Sequence, residues 1–274
     1  VPELPEVETI RRELQTRLSG EAIHTCHIAR DDVIAYPPPL IFPQAVINEK
    51  ILSVKRRAKY LIIELSHHKK LIVHLRLSGT LRVRPAAGAI ERFTRVSFLT
   101  DKYLVLFNEP RALGRIWLLT DQDNDKTPQG LLTLGLEPTS SEFDLSYFRK
   151  KIKTRKAHIK SLLLDQRICA GVGNIYSDEA LFYAGIRPLR RACRITIEET
   201  SRLLTSLKTV LNKAIEHCGT SVGDYTRTAG NKGNFQRFLQ VYGREGQPCR
   251  RCGNPIKVTK LGNRSTRYCP YCQK

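Results

Sequence analysis

Two Cys-x2-Cys pairs, Cys249/Cys252 and Cys269/Cys272, stand sixteen residues apart near the end of the chain. That spacing lets a short hairpin bring four thiolates onto one tetrahedral ion, zinc above all. Two disulfides are the alternative, and they suit an oxidising compartment. Four protein ligands leave no open coordination position, so one zinc ion held here is structural. Cys26, Cys169, Cys193 and Cys218 are scattered and read as buried or inert thiols. Arg250, Arg251, Lys257, Lys260, Arg264 and Arg267 surround the paired cysteines, a rim suited to contacting nucleic acid.

The charge agrees with that rim. The chain has 274 residues, with 46 Lys and Arg against 26 Asp and Glu. Residues 1–145 hold 20 basic and 18 acidic side chains, and residues 146–274 hold 26 and 8. An excess confined to one part of the chain points to a polyanion, nucleic acid rather than an anionic membrane surface. No apolar run reaches the roughly 18 residues of a membrane span. No signal-peptide pattern opens the chain, so a soluble intracellular protein is expected. Methionine is absent and the first residues are Val1 and Pro2. Either the start has been removed or Val1 is a GTG codon written as valine; the second case leaves Pro2 as the N-terminus. Mass spectrometry distinguishes these, and an intact Val1 contradicts the expectation.

The length suits one sizeable core or two modest ones, and two domains are expected. "LPEVETIRREL" predicts a helix from Pro5, with Val7, Ile10, Leu14 and Leu18 on one face. Pro2 and Glu3 lie ahead of it and are not explained by it. "KILSVKRRAKYLIIEL", "KKLIVHLRLSGTLRV", "RVSFLT", "KYLVLFNEP" and "GRIWLLT" read as antiparallel strands of a two-layered sandwich. "LGLEPTSSEFD" reads as a connector with a capping Ser or Asp. From about residue 145 the period becomes helical: "FRKKIKTRKAHIKSLLLDQ", "NIYSDEALFYAGI" and "TIEETSRLLTSLKTVLNKAIEHCG" are predicted helices, the last stopped by Gly219. "GDYTRTAGNKGNFQ" reads as mobile. The predicted organisation is an N-terminal domain over 1–133, a linker over 134–145, a helical domain over 146–238 and a zinc finger over 239–274. Between two predicted helices, Gly171 and Gly173 lead into Asn174. Backbone N–H groups at such an opening bind phosphate, though an ordinary helix connection has the same pattern.

"PELPEVET", "RRAKYL", "HLRLSG", "LGLEP", "GVGNIYSDEALF", "LQVYGREGQPC" and the four-cysteine module occur in this order along the chain. Together they resemble the bacterial formamidopyrimidine-DNA glycosylases, also called 8-oxoguanine DNA glycosylases, from end to end. The resemblance implies an α+β protein: an N-terminal helix with an antiparallel β-sandwich, then a helical domain with a helix–two-turns–helix motif and a zinc-finger β-hairpin. It implies a bifunctional glycosylase and AP lyase of base excision repair, acting on damaged double-stranded DNA in the bacterial cytoplasm; the sequence carries no evident oligomerisation signal, and a monomer is expected.

Residue by residue, the resemblance makes Pro2 the nucleophile, Glu3 the acid and Glu6 its support from the first helical turn. Lys59 contacts phosphate beside the lesion, where otherwise it reads as a solvated strand lysine. Asn174 and Arg264 grip the DNA backbone. Leu77, Arg111 and Leu113 fill the hole left by a flipped base, and "TRTAGNKGNF" matches the loop that covers that base. The chain departs from the family's usual "DPRRFG" at Glu109, Ala112 and Leu113. Leu in place of Phe forfeits stacking on a base, an interaction worth on the order of 1–3 kcal/mol. The family's "KHDHV" is here "RFTRV", which leaves Arg95 as the candidate phosphate contact. Two alternatives remain. One is an endonuclease VIII-type enzyme acting on oxidised pyrimidines, whose start resembles "PEGPE" rather than "PELPE". The other is a non-catalytic DNA-binding zinc protein, if Val1 acylates the Pro2 nitrogen.

Overall fold

The computed structural model describes residues 2–221 and 225–274. The expectation about Val1 falls outside these residues, as do Gly223 and Asp224 of the stretch read as mobile. The chain packs as two compact units, Val1–Leu132 with His217–Asn234, and Thr133–Glu216 with Phe235–Lys274. Packing thus groups the cysteine hairpin with the helices and returns His217–Asn234 to the first unit.

The first unit opens with α1 (Leu4–Leu18), capped by Glu3, with Pro5 in the first turn. Helix formation therefore begins one residue before Pro5, and Glu3 does have a structural role as the N-cap. Val7, Ile10, Leu14 and Leu18 form its fully buried stripe. Next come β1 (Ile23–Ile28), β2 (Ile34–Tyr36), α2 (Phe42–Val46), β3 (Ile51–Arg57), β4 (Tyr60–Leu65), β5 (Lys70–His74), β6 (Thr80–Pro85), β7 (Thr94–Thr100), β8 (Tyr103–Asn108), β9 (Arg115–Leu119) and α3 (Gln129–Leu132). One sheet runs β1-β7-β8-β6 and the other β2-β9-β5-β4-β3, with every pair antiparallel except β2 beside β9. Their inward side chains, Val54, Ile63 and Val73 from one sheet and Val83, Val96 and Phe107 from the other, share a core with the α1 stripe. The Gln15 side chain accepts from the Val54 N–H at 2.6 Å, which holds α1 along β3. Strands β1 and β2 escape the sequence pattern. β1 carries two histidines and is mostly solvent-facing, and β2 is only three residues long.

The second unit contains α4 (Leu145–Ile152), α5 (Ile159–Leu164), α6 (Asn174–Ala184), α7 (Ile197–Glu216), β10 (Lys257–Leu261) and β11 (Arg264–Tyr268). Asp144 caps α4 by accepting from the Tyr147 N–H at 2.7 Å. The basic stretch predicted as one helix is two. Between them the chain is drawn against residues 190–193: the Ile159 N–H donates to Arg190 O, Ala192 N–H to Ala157 O and Cys193 N–H to Arg155 O. α7 ends at Glu216 rather than at Gly219, and the turn behind it uses left-handed backbone at both Cys218 and Gly219. Phe143, Phe148, Ile159, Tyr176, Leu207 and Leu211 form the core. Helix α6 is submerged on nearly every side, including its polar residues Ser177, Asp178 and Glu179. Buried polar groups of this kind must be hydrogen-bonded.

Candidate functional site

The start of α1 is fixed by one carboxylate. Glu6 is fully buried; its Oε2 accepts from the Glu3 N–H at 2.8 Å and its Oε1 from the Thr220 N–H at 2.7 Å. Glu3 and Glu6 together form a reciprocal capping box, so the proposed acid is also the residue that starts the helix. Glu3 is only 2% exposed and adjoins Pro2, itself buried. Gly219 has φ +78°, and a Cβ there would sit 2.8 Å from Glu6 Oε1, so only glycine lets Thr220 reach the carboxylate. The Tyr225 hydroxyl closes the same corner, donating toward Cys218 O at 3.3 Å.

The stretch expected to be mobile is tied down over Tyr225–Asn234. Glu13 pairs with Arg227 at 2.5 Å and accepts from the Thr228 N–H and hydroxyl at 2.9 and 2.6 Å. The Thr228 carbonyl in turn accepts from the Val83 N–H at 3.0 Å.

Lys59 lies in the two-residue turn between β3 and β4, after left-handed Ala58. Arg56, three residues earlier, pairs with Glu8 of α1 at 3.0 Å, which brings this hairpin end to the start of the helix. Burial opposes the charge on Glu8, but bonds from Arg11, Arg12 and Arg56 outweigh it and hold the carboxyl below its ordinary range. His74 packs its ring edge-on to Tyr60 at 4.4 Å. Burial, reinforced by the positive charges of Arg76 and Lys59, pushes its pKa down from 6.5 to about 3. Its Nδ1 accepts from the Arg76 N–H at 3.0 Å, so the neutral ring carries its proton on Nε2.

Leu77 and Leu113 stand at two loop tips, 38% and 41% exposed, and Arg111 is exposed beside Leu113. Between the loops lies Glu109, which is fully buried. Arg95 does not point its whole guanidinium outward; Nε donates to Glu109 O at 2.7 Å and Nη2 to Pro110 O at 3.2 Å. It therefore supports the Arg111 loop directly.

In the second unit, Asn174 opens α6 after Gly173, as the sequence predicts, and its side chain donates to Ser265 O at 3.0 Å. Arg264, exposed at the start of β11, is thereby placed next to it. Beneath them Lys160, fully buried, reaches Asp178 Oδ1 at 2.6 Å, Thr266 Oγ1 at 2.9 Å and Ser265 O at 3.1 Å. An ammonium has donors only, so it suits a site lined by acceptors of this kind. The other Asp178 oxygen accepts from the Arg267 N–H at 3.0 Å. Burial pushes the Asp178 carboxyl up to about 7 against the pull of Lys160. Glu179 accepts from the N–H groups of Gln240, Val241 and Tyr242 at 2.8, 2.9 and 2.9 Å, fixing the chain that leads to the cysteines. The hairpin is thus clamped to α6 by buried ionic groups that periodicity alone would assign to a solvent face.

The four cysteine sulfurs lie within 4.8 Å of one another. Cys249 Sγ is 3.8 Å from Cys272 Sγ, and Cys252 Sγ is 3.5 Å from Cys269 Sγ. A tetrahedral ion with bonds of about 2.3 Å sets sulfurs about 3.8 Å apart, so the cluster fits zinc. The Arg251 N–H points at Cys249 Sγ from 3.4 Å, a polar contact of the kind that steadies a metal thiolate.

Comparison with known proteins accounts for all three regions. Residues 1–116 match the formamidopyrimidine-DNA glycosylase N-terminal domain, residues 134–226 the formamidopyrimidine-DNA glycosylase H2TH domain, and residues 246–274 the zinc finger found in FPG and IleRS. A formamidopyrimidine-DNA glycosylase of Pelotomaculum thermopropionicum is 44% identical, over 100% of this chain and 99% of its own length. The chain belongs to the formamidopyrimidine-DNA glycosylase family.

Solved structures of the glycosylases agree. A Lactococcus lactis FPG mutant in complex with a Fapy-dG containing DNA superposes with a TM-score of 0.93 at 34% identity, covering 100% of both chains. A second Lactococcus lactis Fpg complex, with an abasic site containing DNA, gives 0.91 at 33% identity over 99% of each chain. Of the site residues expected from the sequence, Pro2, Glu3, Glu6, Lys59, Leu77, Arg95, Arg111 and Leu113 lie in the first unit. Asn174, Arg264 and the four cysteines lie in the second. Sequence reasoning missed Thr220, Tyr225, Glu13 and the Lys160–Asp178 pair. Their partners are remote in sequence, and only the absence of a solvated pattern along α6 hints at the last. No helix among the described residues is long and apolar enough to cross a membrane.

Proposed function

We propose that this chain is a base-excision DNA glycosylase and AP lyase that removes oxidised purines, 8-oxoguanine and formamidopyrimidines, from double-stranded DNA. One observation supports the reading: a buried carboxylate, Glu6, holds the backbone N–H of Glu3 and so fixes the chain that directly follows Pro2.

A free α-amine titrates at roughly pH 8, so an unacylated Pro2 is partly unprotonated near neutrality. Its lone pair attacks C1′ of the damaged nucleoside and the N-glycosidic bond breaks, its electron pair leaving on the base; the amine then loses its proton and the C1′–O4′ bond opens onto the ring oxygen as Glu3 protonates it. The opened sugar is then joined to Pro2 as an iminium, which acidifies the C2′ protons. Loss of one such proton expels the 3′ phosphate, and a second elimination expels the 5′ phosphate. Lys59, Asn174 and Arg264 hold phosphates, contacts that position the duplex without reading its sequence. Leu77, Arg111 and Leu113 occupy the space the lesion leaves, since a base that reacts must first leave the stack.

One zinc ion held by Cys249, Cys252, Cys269 and Cys272 supplies structure to the hairpin that carries Arg264. The chain works as a monomer on the bacterial chromosome in the cytoplasm. The test is excision from duplexes carrying 8-oxoguanine or an oxidised pyrimidine. Release of the purine lesion is expected. Release of the pyrimidine alone indicates the endonuclease VIII-type activity, and binding without release indicates a non-catalytic protein.

A further inference from the structure

The two loops that end in Leu77 and Leu113 share one anchor. Glu109 Oε1 accepts from the Ser78 hydroxyl, on the first loop, and from the Arg111 N–H at 3.1 Å. Its Oε2 accepts from the Leu113 and Gly114 N–H groups, both at 2.7 Å. The carboxylate is fully buried and Ser78 is 4% exposed, so the bond between them does not compete with water. Both loops also contain a left-handed residue, Arg76 at φ 55° and Ala112 at φ 52°, conformations that persist only where surrounding bonds hold them. Gly114 is packed so closely that a Cβ would lie 2.5 Å from the Phe107 ring and 3.2 Å from Glu109 Cγ.

We infer that Glu109 is a positioning residue that locks the Leu77 loop and the Arg111–Leu113 loop into one preorganised wedge for the space vacated by an everted base. The inference rests on the excision reading above and deepens it. Ordering two separate loops against DNA costs conformational entropy at the moment of binding, and a tie made in advance removes that cost. A carboxylate suits the task because it accepts from four donors at once and donates to none. Glutamine cannot replace it. Whichever way its amide turns, an NH2 group faces at least one backbone N–H.

The test uses the full-length zinc-loaded protein with Ser78→Ala, which cuts the link between the loops and leaves the bonds within the second loop intact. Two reactions are compared on one duplex: excision of 8-oxoguanine, and strand cleavage at a pre-formed abasic site, where no base has to be evicted. Excision is expected to fall about tenfold, the low end for losing a hydrogen bond to a charged group. Cleavage at the abasic site should stay within about twofold. Glu109→Gln should show the same split more strongly, and it keeps the test open if Ser78→Ala folds poorly. Adding Leu77→Ala to Ser78→Ala should cost no more than Leu77→Ala alone, because both act through one tip. Equal loss in the two reactions, unchanged excision or simple additivity would overturn the inference while leaving the excision reading intact. A wild-type protein that excises no lesion overturns both.

Discussion

Glu6 and Thr220 are 214 residues apart in sequence, and the Thr220 N–H donates to Glu6 Oε1 at 2.7 Å. With the bond from Glu3 N–H to Oε2, one buried side chain joins the proposed catalytic residues to the segment behind α7. Glu6→Ala removes the carboxylate that accepts from these two N–H groups, at about 1–3 kcal/mol for each bond. Urea denaturation should show a loss of about 2–6 kcal/mol, together with a fall in base excision. A variant with wild-type stability and activity would remove Glu6 from this role.

Lys160 and Asp178 form a fully buried ion pair that fastens the cysteine hairpin to α6. Breaking a buried pair from one side costs about 3–5 kcal/mol, whereas replacing both partners by apolar groups is often nearly neutral. Lys160→Met should therefore be strongly destabilising, and adding Asp178→Leu should recover much of the loss. Denaturant melts of the single and double variants measure this directly. Additive losses would mean that the two charges do not interact.

His74 makes stability depend on pH. Its folded pKa, about 3, is depressed below the ordinary 6.5 by burial and by Arg76 and Lys59. Between those values the unfolded chain binds a proton that the folded chain refuses, so stability is complete above pH 6.5 and falls as pH drops towards 3. The slope from this group approaches about 1.4 kcal/mol per pH unit. An NMR titration should find the ring neutral at pH 5. His74→Asn, which offers the Arg76 N–H an acceptor but does not titrate, should flatten the acid limb.

Zinc analysis should return one ion per chain. Stripping it with a chelator, or replacing Cys272 by Ser, should reduce duplex affinity at moderate salt by about tenfold or more, since Arg264 loses its support. Unchanged binding after complete removal of the ion would separate the hairpin from DNA recognition.

The parts legible in the sequence are those fixed by local rules. The α1 stripe, the strands between Gly and Pro breaks, the Gly173–Asn174 helix opening and the cysteine spacing each depend on neighbours a few residues away. The parts that were not legible depend on distant partners. "TRKAH" interrupts a helical pattern because residues 190–193 pair with it, and "YTRTAGN" is ordered because Glu13 lies on the facing helix surface. Arg95 reads as a phosphate contact in the sequence, and only the fold adds its bonds to the Glu109 and Pro110 carbonyls. Glu109 reads as a departure from the family pattern, and only the fold reveals the donors it collects from two loops.

The central claim is that the Pro2 nitrogen becomes covalently bound to the sugar. Incubating the protein with an 8-oxoguanine duplex and borohydride, then mapping the adduct by peptide mass spectrometry, tests it most directly. The account predicts a reduced sugar–DNA adduct on the peptide that begins at Pro2, with Glu3→Gln sharply lowering its yield from the lesion duplex. Excision without a trapped adduct, or an adduct on a lysine with Pro2 unmodified, would contradict it.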